Sequence, residues 1–121
     1  MSKMFSLLIT LSFVFAQVDY ESQIQTIFNN NCTSCHVYGH ISELNLTSYA
    51  GVMAGSNVVL NDHANSELYI RITLPESNQQ FMPKNGSPLL QSEIDLIAQW
   101  IDEGALETPA TDPVNLFFSE Y

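Results

Sequence analysis

Cys32-Thr33-Ser34-Cys35-His36 constrains this chain more than any other stretch. It contains the only two cysteines of the 121 residues, with a histidine directly after the second. Two thiols and an imidazole must share one turn of backbone, so whatever they hold sits against that turn. A thioredoxin-like redox pair needs a strand before the motif and a helix opening at it. Here a polar Asn29-Asn30-Asn31 run precedes it. A structural zinc site needs four ligands; Cys32, Cys35, His36 and His40 crowd together without the long spacer of a finger. A disulfide suits an exported protein but gives His36 no role. The spacing is that of covalent haem attachment, each thiol adding to one vinyl group of the porphyrin. His36 is then held beneath the ring with its imidazole aimed at the iron.

The first residues read as an export signal. Lys3 supplies a positive start, and residues 4–16 form an apolar stretch too short to span a bilayer comfortably. Val14-Phe15-Ala16 puts small residues at the positions a signal peptidase reads. Residues 1–16 are therefore expected to be a signal peptide cleaved before Gln17; an uncleaved anchor is the alternative. After cleavage no stable membrane span is expected. Covalent haem attachment takes place outside the cytoplasm in bacteria, so a periplasmic or extracellular location follows.

The mature chain is long enough for one small domain with a modest core. It keeps only Arg71 and Lys84 against thirteen carboxylates, a net charge of about −11. Nucleic acid is excluded as a partner, because a phosphate backbone needs a basic face. Such acidity has two readings: plain solubility, or steering toward a redox partner with a basic docking face.

Hydrophobic periodicity predicts helices. Asp19 is a candidate N-cap for a helix over 19–30, with Ile24, Ile27 and Phe28 on one face. Leu44 and Leu46 alternate with polar residues, which predicts a short extended piece. A short helix over 47–54 follows, with Thr47 as cap and Gly55 as stop. A third helix starts at Asn65 or Ser66, carries Leu68, Tyr69 and Ile72, and ends before Pro75. Ser92 opens the last helix, with Ile94, Ile97, Ala98 and Ile101 inward, Trp100 beside them and Gly104 at its end. Residues 107–121 change character: a Thr/Pro linker, then an apolar, β-prone run over 114–121. That run resembles the opening strand of a lamin-tail-like β-sandwich, so 107–121 is expected to be a linker and β-prone tail that either folds back on the domain or starts a further one.

A haem iron held by His36 has one more axial position, and the candidates are Met82, Met53, His40 and His63. Met82 lies in an irregular loop before Pro83, which biases it to an extended conformation and helps present its thioether. Met53 lies in a predicted helix and reads as core filler. His40 is too close in sequence to His36 to reach the opposite side of the ring. A thioether opposite histidine favours ferrous iron and leaves no open position for oxygen or peroxide.

The order of helix, Cys-x-x-Cys-His, helices, Met-Pro and final aromatic-bearing helix resembles a class I c-type cytochrome. The chain is most similar to the small planctomycete-type cytochrome c domains of exported bacterial proteins. The likeness runs over residues 20–106 and includes Leu44-Asn45-Leu46, Ser66-Glu67-Leu68-Tyr69-Ile70-Arg71-Ile72, Met82-Pro83 and the last helix. It departs at Gly39 and His40, where a lone glycine is more usual, and at Lys84, where a second proline is common.

The resemblance implies an all-α cytochrome c domain over 17–106, about four helices around one covalent haem c. Cys32 and Cys35 would form the thioether links, and His36 and Met82 the axial iron ligands. Arg71 would pair with a haem propionate, although a plain surface charge on a helix explains it as well. The first and last helices would cross near Phe28 and Trp100, and Ile72 and Phe81 would wall the haem. The function implied is mono-haem electron transfer, without enzymatic activity of its own. The alternatives are a haem-based sensor of small ligands and a module feeding electrons to a larger secreted oxidoreductase.

Overall fold

The computed structural model describes residues 16–109. A π-helical turn (Tyr20–Ile24) runs into α1 (Gln25–Asn31). Then come α2 (Tyr49–Ala54), a 3-10 turn (His63–Asn65), α3 (Glu67–Thr73) and α4 (Gln91–Asp102). No strand occurs among the described residues, so this part of the chain is all-α. None of its helices is long and apolar enough to cross a membrane. The expected signal peptide lies outside the described residues except for Ala16, as does the tail beyond Pro109.

The caps explain where the helices begin. Asp19 accepts from the Ser22 backbone N–H at 3.0 Å, as its type predicts for an N-cap. The Ser22 hydroxyl, more than its backbone N–H, holds the Asp19 carboxyl below its usual pKa. At α2 the cap is Ser48 and not Thr47: the Ser48 hydroxyl accepts from Gly51 N–H at 3.0 Å. Thr47 instead donates its hydroxyl to the Asn45 side chain. The last helix starts one residue before Ser92, because Glu93 reaches back to the Leu90 N–H at 3.0 Å. Gly104, at φ 103°, ends it: the Gly104 N–H bonds to Ile101 and the Ala105 N–H to Trp100.

The predicted extended piece at Leu44-Asn45-Leu46 is irregular loop. A lone extended segment has no partner for its backbone, and this one is satisfied otherwise. Leu46 N–H donates to the His36 carbonyl at 3.0 Å. The Leu46 carbonyl accepts from the buried Gln25 amide at 2.9 Å.

The core forms where the N-terminal helical segment meets α4. Ile24, Ile97 and Ile101 are fully buried there, each such burial worth roughly 1.5–3 kcal/mol. Phe28 and Trp100 are buried as expected, but Tyr20 lies between them. Its ring is edge-on to Phe28 at 6.4 Å and tilted against Trp100 at 5.3 Å. Burial raises the Tyr20 phenol well above its ordinary pKa, and its hydroxyl finds Gln25 Oε1 at 2.6 Å. The Trp100 indole N–H donates to the Leu106 carbonyl at 2.9 Å, fixing the chain beyond α4. Trp100→Ala removes that bond and opens a cavity, so it should destabilise the domain by about 3–5 kcal/mol. Urea unfolding followed by circular dichroism checks it; a loss under about 1 kcal/mol contradicts the packing described.

Candidate functional site

The Cys-x-x-Cys-His motif extends the end of α1 as a hydrogen-bonded turn. Cys32 N–H donates to Phe28 O at 2.8 Å, Cys35 N–H to Cys32 O at 3.2 Å and His36 N–H to Cys32 O at 3.0 Å. These bonds fold the motif back on itself and put Cys32, Cys35 and His36 on the wall of one cavity of about 410 Å³. That volume lies within the ~300–1,000 Å³ typical of cofactor and small-molecule sites. Leu44, Leu46, Leu68 and Ile72 make its walls largely apolar.

Met82 lines the same cavity, brought there from a loop well downstream of the motif. Its backbone N–H donates to the Arg71 carbonyl at 3.1 Å, which ties the loop to the end of α3. Met53 packs against the core and does not line the cavity, consistent with a filler role. His63 is also absent from the lining. Its Nδ1 pairs with Asp102 Oδ2 at 2.7 Å, and its ring stands edge-on to Tyr69. His40 does line the cavity, but beside His36, their ring centroids 5.3 Å apart. Ile72 is a wall as expected; Phe81 is buried but lies off the lining.

Both fixed cations of the described residues border this cavity, Arg71 from α3 and Lys84 from the loop after Met82. Arg71 Nε is taken by Glu67 Oε1 at 2.7 Å, an i,i+4 pair on a part-exposed helix face. Such a pair contributes only about 0.3–0.5 kcal/mol, and it engages one of the three guanidinium nitrogens. In so acidic a chain, two cations at one opening suit a ligand with acidic groups. The sequence marks Lys84 only as a cation after a proline; the fold adds its place at the cavity.

Burial, with a smaller push from Glu93, raises the Cys32 thiol to about 11. The imidazole of His36 moves the other way: burial first and His40 second lower its pKa, partly offset by the Leu44 backbone. His36 is thus neutral at physiological pH, as a metal ligand must be. The thiols of Cys32 and Cys35 are free. Among the described residues, no three His, Cys, Asp or Glu side chains converge on one point. Two thiols, an imidazole, a thioether, apolar walls and two cations are a donor set that fits an iron porphyrin with acidic side chains.

Compared with protein-family models, with curated proteins and with solved structures, the chain finds no match.

In the protein with both thiols free, near neutral pH, Cys32 should carry on the order of a hundredfold less thiolate than an ordinary cysteine. Iodoacetamide should therefore alkylate the exposed Cys35 first. Peptide mass spectrometry over a time course checks the order, and prior modification of Cys32 contradicts it.

Proposed function

We propose that the chain is a mono-haem c-type cytochrome that carries electrons outside the cytoplasm and is not itself an enzyme. Cys32 and Cys35 hold the porphyrin through thioether links, and His36 and Met82 ligate the iron. The observation that carries this reading is convergence: Met82 opens on the same cavity as Cys32, Cys35 and His36. The haem supplies a one-electron couple.

The residues around the cavity have separable tasks. His36 offers a neutral imidazole nitrogen, and Met82 a soft, uncharged thioether that favours the reduced state. Leu44, Leu46, Leu68 and Ile72 give the porphyrin apolar walls to pack against. Arg71 and Lys84 neutralise propionates. The remaining surface is acidic and suits a partner with a basic docking face, with steering that weakens as salt rises. Location outside the cytoplasm rests on the signal-like residues 1–16 and on the chemistry of thiol attachment.

The oxidised haem-loaded protein should show the weak long-wavelength methionine-to-iron charge-transfer band, and Met82→Ala should lose it. The reduced variant should then bind carbon monoxide. Persistence of the band in the variant would falsify the axial assignment. Rapid carbon monoxide binding by the reduced unmutated protein would favour a ligand sensor over an electron carrier.

A further inference from the structure

A short polar chain leads from His36 to a second histidine. The Ser42 hydroxyl lies 3.2 Å from His36 Nδ1 and 2.7 Å from His40 Nδ1. The Ser42 backbone N–H contacts the same His40 nitrogen at 3.1 Å. Leu44 N–H also donates to Ser42 Oγ at 3.4 Å, and the two backbone donors orient the set. An amide N–H only donates, so His40 Nδ1 is the acceptor and the neutral ring carries its proton on Nε2. The Ser42 hydroxyl has a single proton, and its short contact to the His40 lone pair takes it. Ser42 Oγ therefore meets His36 Nδ1 with a lone pair, and His36 Nδ1–H is the donor. The neutral His36 ring then keeps its Nε2 lone pair for a metal.

We propose that Ser42, anchored by His40, is a positioning residue that, beside the Leu44 backbone, helps set the tautomer and orientation of His36 for iron ligation. The proposal rests on the reading of His36 as an axial ligand. It gives His40 a role that sequence could not supply: it stands beside His36 and orients the hydroxyl that holds it. A hydrogen bond donated from the far nitrogen of a ligating imidazole makes the ring a stronger donor to the metal and favours oxidised iron. Ser42 is exposed, so water partly replaces a deleted hydroxyl, and the effect is a tuning and not a loss.

The test uses the haem-loaded protein and reads its reduction potential, with intact mass and the methionine band as controls. Ser42→Ala should keep covalent haem and the band. Its potential should become more positive, up to about tenfold in the one-electron equilibrium, ~59 mV. His40→Ala should shift it in the same direction by less, and Ser42→Thr, which keeps a hydroxyl, should restore the original value. Proton resonances should show the His36 Nδ1–H exchanging faster with water in Ser42→Ala than in the unmutated protein. An unshifted potential in Ser42→Ala with haem and band intact overturns the proposal alone. Absence of covalent haem from the unmutated protein overturns the reading beneath it as well. Should Ser42→Ala not accumulate, His40→Ala leaves Ser42 in place and decides the matter: an unshifted potential there overturns the proposal.

Discussion

The buried carboxamide of Gln25 joins three parts of the chain that the cavity needs in register. Its Oε1 accepts from Tyr20, and its Nε2 donates to Asn29 and to the Leu46 carbonyl. A buried amide left without partners costs about 1–3 kcal/mol, so this set is strongly preferred over partial alternatives. Leu46 in turn bonds through its N–H to the His36 carbonyl. One buried polar side chain thereby links the first helical segment, the loop that walls the cavity and the backbone of the motif histidine.

The opposite wall depends on a second anchor. The Met82 N–H bonds to the last turn of α3, whose Leu68, Arg71 and Ile72 also face the cavity. The thioether is thus positioned by backbone on a loop, while the imidazole is positioned by a turn at the end of α1. An iron held between two such fixed donors would change its coordination little on reduction, as the proposed electron transfer requires.

Much of this was legible in the residues, and the reason is chemical. Helix faces are announced by apolar spacing: Ile24, Ile27, Phe28, Ile94, Ile97 and Ile101 were all expected inward and all are buried. Cysteine is rare enough that its pattern limits the chemistry, and proline marked the loop holding Met82. What escaped the sequence is what depends on contacts between distant residues. Gln25 reads as a polar residue for solvent, yet it is buried because Tyr20 and Leu46 supply partners. Ser48 is the better cap by type, and the loop geometry settles it by giving the Thr47 hydroxyl to Asn45. Ser42 carries no signal at all, since a serine in a polar loop is ordinary until two histidines are seen to flank its hydroxyl. His63 looked like a ligand candidate, and its neighbour Asp102 lies on a helix far along the chain.

The claim on which the account turns is that the Cys32, Cys35 and His36 turn holds a covalent haem. The full chain, produced with a haem-attachment pathway outside the cytoplasm and purified under denaturing conditions, tests this by intact mass spectrometry. The expected species is heavier than the mature polypeptide by one haem, with the added mass on the peptide containing both cysteines and lost in Cys32→Ala/Cys35→Ala. A mature protein of unmodified polypeptide mass, or one whose cysteines are joined only to each other, would contradict it.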